Sequence, residues 1–134
     1  MADKIERSDE EWREQLSSDE FAVCRMKGTE PAFSGKLVDN KDAGTYLCRC
    51  CDEELFGSDT KFDSKTGWPS FWQPDSESSV TEVEDVSHGM RRVEVTCSRC
   101  DSHLGHMFPD GPNPTGLRYC INSVSLKFRP GDKA

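Results

Sequence analysis

Gly116-Leu117-Arg118-Tyr119-Cys120-Ile121-Asn122-Ser123, continued by Val124 to Phe128, is the stretch on which the reading of this chain turns. Its pattern predicts a strand, in which successive side chains point to opposite faces. Arg118, Cys120 and Asn122 then share one face, with Val124, Leu126 and Phe128 further along it. Leu117, Tyr119 and Ile121 take the other. A single thiol between a cation and an amide, on a strand rather than a loop, suits a rigidly held nucleophile. Thiolate is the reactive form, and a nearby guanidinium favours it by lowering the thiol pKa from about 8.5. A core cysteine on a half-buried strand fits the same residues, so the rest of the chain has to decide.

The 134 residues are enough for one ordinary domain. Hydrophobic residues make up 34% and charged residues 31%, so the core is modest. A net charge of −8 and a pI near 4.9 argue against nucleic acid as a partner, because phosphate attraction needs a basic patch. Acidity also argues against an anionic membrane surface. No apolar run approaches the roughly 20 residues of a membrane span. Met1 to Glu20 is too charged for a signal peptide. The expectation is a soluble, monomeric, cytoplasmic protein; a mature organelle form stays compatible with the sequence. Seven cysteines are many for this length. In a reducing compartment, clustered cysteines point to metal or catalytic roles.

Three segments are expected: a polar helical segment over 1–20, one domain over 21–130 and a frayed tail over 131–134. Ser8 and Glu11 form a capping-box pair, with Trp12 and Leu16 on one helix face, docked loosely on the domain. Ser17 to Glu20 begins a second helical turn. Gly28-Thr29-Glu30-Pro31 breaks structure, with Phe33 as an apolar anchor behind it. Glu30 by itself reads as a solvated loop charge. Tyr46-Leu47 carries a short strand into Cys48-Arg49-Cys50-Cys51. In Thr66-Gly67-Trp68-Pro69-Ser70-Phe71-Trp72, three aromatics crowd a Gly-Trp-Pro turn, as a minicore under a loop or as a wall for an apolar ligand group. Residues 75–86 read as acidic loop and strand. Met90 to Thr96 reads as a strand delivering Cys97-Ser98-Arg99-Cys100.

Cys48-x-x-Cys51 and Cys97-x-x-Cys100 are two pairs of metal-ligand spacing. Four thiolates complete a tetrahedral zinc site with no open position, which makes it structural. The 45 residues between Cys51 and Cys97 exceed ordinary ribbon spacing. Two disulfides or an iron–sulfur cluster are the alternatives. Such a site staples a core that supplies little stability alone. It leaves Cys24, Cys50 and Cys120.

Taken together, several stretches resemble the B-type methionine sulfoxide reductases, which act on the R epimer. They are Gly28-Thr29-Glu30-Pro31, the Cys48/Cys51 pair, Gly67 to Phe71, Ser87-His88-Gly89-Met90, the Cys97/Cys100 pair, His103-Leu104-Gly105-His106, Pro109-Asp110-Gly111-Pro112 and Arg118 to Ser123. They run in family order from about residue 20 to 129. The resemblance implies a mainly β fold of two antiparallel sheets forming a small barrel-like or β-tent core. Short N-terminal helices and a zinc held by both pairs complete it. It implies Cys120 as nucleophile and His103, His106 and Asn122 on the sulfoxide-oxygen side. It makes Arg118 a support for the thiolate, Trp68 a contact for the substrate methyl and Glu30 an oxygen-side or supporting carboxylate. It also implies oxidised proteins or peptides as substrate and thioredoxin as reductant.

The chemistry agrees with these residue types. A sulfoxide needs a soft nucleophile at sulfur and a proton at oxygen. The products are a thioether and a Cys120 sulfenic acid, which condenses with a second thiol. The chain departs from the family at one place. Many members carry a resolving cysteine just before the Gly-Trp-Pro turn, where this chain has Thr66. Cys24 is expected to take that role, with Cys50 or direct attack by thioredoxin as alternatives. The competing function is a zinc-stabilised peptide- or ligand-binding module without turnover, which has no need of Cys120.

Overall fold

Two seven-residue helices open the fold, and each is started by the same device. In α1 (Asp9–Gln15), Ser8 Oγ accepts the Glu11 N–H and the Glu11 carboxylate accepts the Ser8 N–H. In α2 (Ser18–Cys24), Ser17 and Glu20 repeat the pair. Helices this short are marginal in water and depend on packing. The structure is a computed structural model describing residues 5–76, 78–86 and 92–131. In it Trp12 is 1% exposed and shares one core cluster with Leu16, Phe21 and Cys24. The Arg25 guanidinium stacks over the Trp12 ring at 4.4 Å. The first helix is therefore embedded in the core, not docked loosely as its polar sequence suggests; one large aromatic outweighs six polar neighbours.

Among the described residues, nine strands form two antiparallel sheets. The smaller has the order β2-β1-β9, from β1 (Gly44–Cys48), β2 (Glu54–Gly57) and β9 (Leu126–Pro130). The larger has the order β3-β4-β8-β7-β6-β5. Its strands are β3 (Lys61–Phe62), β4 (Ser70–Phe71), β5 (Val80–Asp85), β6 (Arg92–Cys97), β7 (His103–Phe108) and β8 (Arg118–Ile121). The mainly β, two-sheet expectation holds, and among the described residues neither sheet closes into a barrel. Aromatic rings join the sheets: Phe56 of β2 stacks on Phe71 of β4 at 4.4 Å, and Tyr46 of β1 meets Phe71 edge-on at 5.1 Å. Phe71 thus supplies the minicore half of the aromatic-cluster reading.

The deciding stretch is not one strand. β8 ends at Ile121, a 3-10 turn spans Ser123–Ser125, and β9 joins the other sheet. Arg118, Tyr119, Cys120 and Ile121 do alternate between half-buried and buried. Beyond Asn122 the shared face stops. The turn is held by Ser125 N–H on Asn122 O (3.0 Å) and by Val124 N–H on Glu30 Oε1 (2.8 Å). These bonds satisfy backbone groups that a continued strand would have paired. At the C-terminus, the Gly131 N–H still bonds Ala43 O at 3.0 Å. The rest of the expected tail, and Ser87-His88-Gly89-Met90, lie outside the described residues. No described helix is long and apolar enough to cross a membrane.

Candidate active site

β8 lies between β4 and β7, and the register puts Ser70 and His106 directly opposite Cys120. Opposed residues of antiparallel strands project to the same side. Behind the thiol, Gly105 allows β7 to approach: a Cβ there would lie 2.0 Å from Cys120 O. Cys120, His106 and Asn122 line an open cleft of about 110 Å³ together with Trp68, Phe108 and Thr29. Trp68 thereby supplies the other half of the aromatic-cluster reading, as a cleft wall.

The wall is fixed by a chain of bonds from distant segments. Trp68 Nε1–H donates to Glu30 O (2.9 Å), and Glu30 N–H donates to Asn122 Oδ1 (3.0 Å). Asn122 Nδ2–H in turn donates to Leu104 O (3.0 Å). Glu30 is 4% exposed, so it is no solvated loop charge. One carboxylate oxygen takes the Val124 N–H; the other is buried with no hydrogen-bond partner among the described residues. Gly67, at φ +94°, must be glycine, since a Cβ would lie within 2.8 Å of Ala32 and Phe33 atoms. Phe33 is 72% exposed and is not an apolar anchor. Its backbone makes the contact instead, N–H to Gly67 O at 2.7 Å.

His103 and His106 each have their own carboxylate. His106 Nε2 lies 2.9 Å from Asp85 Oδ2, which Arg92 also meets at 3.3 Å. His103 Nδ1 lies 2.8 Å from Glu94 Oε2, whose other oxygen meets Lys27 Nζ at 3.3 Å. The rings are 5.5 Å apart. Of these two, His106 lines the cleft, while His103 faces an adjoining depression with Lys27 and Glu94. Burial pushes the His103 pKa down, against the opposing pull of Glu94. Its Nε2 is buried with no hydrogen-bond partner among the described residues.

Around Cys120 two effects compete. Burial raises its pKa, while the Thr66 hydroxyl and the Arg118 charge lower it, and burial wins. The resting thiol is therefore not the depressed one that a neighbouring Arg by itself suggests. Arg118 is largely committed elsewhere, donating Nε and Nη2 to the two oxygens of Asp110 at 2.9 and 3.2 Å.

The four expected metal ligands converge. Cys48, Cys51, Cys97 and Cys100 place their sulfurs within 4.8 Å of one another. The Cys48–Cys100 and Cys51–Cys97 separations are both 3.6 Å. Disulfides at about 2.05 Å are ruled out. Tetrahedral zinc with bonds of about 2.3 Å sets sulfurs about 3.8 Å apart, so the donor set fits. Cys24 is placed elsewhere than Cys120. Its thiol is 1% exposed and lies 3.9 Å from Ser125 Oγ. The adjacent Cys50 and burial push its pKa well up. No described contact joins it to Cys120.

The SelR domain family matches residues 16–130. A peptide methionine sulfoxide reductase MsrB of Pseudomonas putida is 60% identical over 131 residues, covering 98% of both chains. Proteins of the same name from Saccharophagus degradans (57% over 129 residues, 96% of each) and Azotobacter vinelandii (56% over 131 residues, 98% of each) are similarly close. The chain belongs to the MsrB family of peptide methionine sulfoxide reductases. It is therefore an oxidoreductase of this family.

Residue-type reasoning did not find Glu94, Asp85, Phe108 or Thr66 as part of this MsrB site. Alternation in Arg92-Val93-Glu94-Val95 signals a half-exposed Glu94, yet Glu94 is buried against His103. A charged residue between valines on a strand that precedes a metal pair is the one signal available for it. Thr66 carries a signal only through the cysteine it replaces.

Proposed function

We propose that this protein reduces peptide- or protein-bound methionine-R-sulfoxide with Cys120 as nucleophile. The observation that carries the reading is the cleft, which combines a half-buried thiol, a cross-strand histidine and an indole wall. The Cys120 sulfur attacks the sulfoxide sulfur. The S–O bond breaks, the oxygen ends on Cys120 as sulfenic acid, and the thiol proton ends on that oxygen. Two electrons pass from the cysteine sulfur to the substrate sulfur, which leaves as thioether. His106 carries the proton; with Nε2 on Asp85, its Nδ1 is the transferring nitrogen. One Asn122 Nδ2 hydrogen is held by Leu104 O, and the second is available to the sulfoxide oxygen. Trp68 meets the methyl group. Fixed donors opposite a fixed apolar wall select one epimer. Arg118 and Glu30 support the thiolate and the wall, and the Glu94-bound His103 supports His106 from behind.

Zinc is the ion that the four thiolates suit, and bound there it supplies fold stability and no catalysis. Cys48 and Cys51 would hold it from the β1 knuckle and Cys97 and Cys100 from the β6 knuckle. Cys24 remains the proposed resolving thiol. It lies six residues before Glu30, whose N–H bonds the Asn122 amide two residues from Cys120. Unwinding the last turn of α2 would carry it toward the cleft. Cys24 thiol plus Cys120 sulfenic acid then give a disulfide and water, and thioredoxin reduces the disulfide. Cysteines kept as thiolates and thiols suit the cytoplasm, and the working unit is proposed to be a monomer.

The test is reduction of the two resolved sulfoxide epimers of a blocked methionine with thioredoxin, in wild type, Cys120→Ser and Cys24→Ser. Turnover of the R epimer alone, abolished in Cys120→Ser, is expected. In Cys24→Ser the first turnover is kept and recycling is lost. Turnover of neither epimer by wild type would reverse the assignment in favour of a binding module.

A further inference from the structure

The Thr66 hydroxyl occupies the place from which many relatives present a second thiol. Its Oγ1 lies 4.0 Å from Cys120 Sγ. Two left-handed residues flank it, Lys65 at φ +62° and Gly67 at φ +94°. Asp63 Oδ1 accepts the Lys65 N–H at 2.9 Å. The turn therefore sets the side chain of Thr66 against the Cys120 thiol. Behind it the Ser64 hydroxyl lies 2.7 Å from Thr66 Oγ1 and 2.7 Å from Ser70 Oγ. Ser70 is the cross-strand partner of Cys120 and is buried.

Each hydroxyl has one proton to give. A carbonyl only accepts, so Ser70 gives its proton to Trp68 O at 3.2 Å. Ser64 must then donate to Ser70, and Thr66 to Ser64. In the resting thiol the remaining link runs from Cys120 S–H to Thr66. When Cys120 ionises, its proton leaves for solvent and the link reverses. Thr66 turns its hydrogen from Ser64 to the sulfur, and Ser64 keeps the Thr66 N–H at 3.4 Å. We propose that Thr66 is a catalytic residue of this chain: its hydroxyl is a two-position donor that hydrogen-bonds the Cys120 thiolate, in competition with Ser64. The proposal rests on Cys120 as nucleophile but not on any substrate. Among the described residues, the charged and titratable groups around the thiol are Arg118 on its own strand, His106 on β7, Arg92 of β6 in the cleft lining and Glu30 on the loop after α2; Asp63 and Lys65 belong to the Thr66 turn.

The experiment is the rate of Cys120 alkylation by iodoacetamide against pH, read by mass of the Cys120 peptide, in the zinc-loaded full-length protein without sulfoxide. The sulfur displaces iodide only as thiolate, so the midpoint reports ionisation. Thr66→Val should move the midpoint upward by about one pH unit, a roughly tenfold slower reaction below both midpoints. Thr66→Ser should restore it. Ser64→Ala removes the competing acceptor and should move the midpoint down. It is also the deciding variant if Thr66→Val does not fold. An unchanged midpoint in Thr66→Val, or an upward shift in Ser64→Ala, overturns the proposal. Because no sulfoxide is present, loss of reductase activity alone cannot mimic either result.

Discussion

Asn122 is the residue on which cleft and core both depend, and Asn122→Ala measures that dependence. Its Oδ1 takes the Glu30 N–H and its Nδ2 gives to Leu104 O, both at 3.0 Å in a buried setting. The bonds themselves assign the amide, since an N–H faces the oxygen and a carbonyl faces the nitrogen. Truncation leaves the Glu30 N–H without this partner, at about 1–3 kcal/mol. Leu104 O keeps the Asn122 N–H at 2.9 Å, so its loss is smaller. The total is about 2–4 kcal/mol. With a urea m-value of about 1.5 kcal/mol per molar, the midpoint falls by more than about 1 M. Glu30 O also holds the Trp68 indole, so KM should rise as the wall loosens. The assay is urea unfolding followed by circular dichroism, beside initial rates on a blocked methionine sulfoxide. A midpoint unchanged within 0.3 M, taken as about 0.5 kcal/mol at that m-value, would refute the latch. If activity were lost at the same time, the amide would act on substrate alone.

Two further outcomes follow from the metal cluster and the buried histidine. A strong chelator should release about one zinc per chain and lower the unfolding midpoint, because four converged thiolates lose their common partner; stability unchanged after complete zinc removal would contradict a structural site. His103 has a folded pKa depressed by burial, so below its unfolded value of about 6.5 the unfolded chain binds the extra proton. Stability should therefore fall as pH drops from 6.5 toward the folded pKa, and His103→Gln should flatten that slope in urea midpoints taken between about pH 7.5 and 5.5. An unaltered slope in the variant would assign the acid sensitivity to other groups.

The sequence by itself determined the local pieces. Ser8 with Glu11 and Ser17 with Glu20 dictate two helix starts, because capping needs only residues three apart. Two pairs of cysteines at two-residue gaps each dictate a knuckle with metal-ligand spacing. The alternation through Cys120 put the thiol on a half-buried face, and the family motifs named its partners. Tertiary structure decided what depends on register and on distant partners. It broke the Cys120 strand at Asn122, because Glu30 supplies an acceptor for Val124 from 94 residues away. It buried Glu30 and exposed Phe33, against the expectation from each residue's type. It gave His103 the Glu94 carboxylate and His106 the Asp85 carboxylate through the pairing of β5, β6 and β7. It set Thr66 beside Cys120 across 54 residues of chain. Short-range hydrogen bonding and metal-ligand spacing are written in neighbouring residues. Desolvation and long-range hydrogen bonds exist only once two sheets have chosen their register, and no single segment carries that choice.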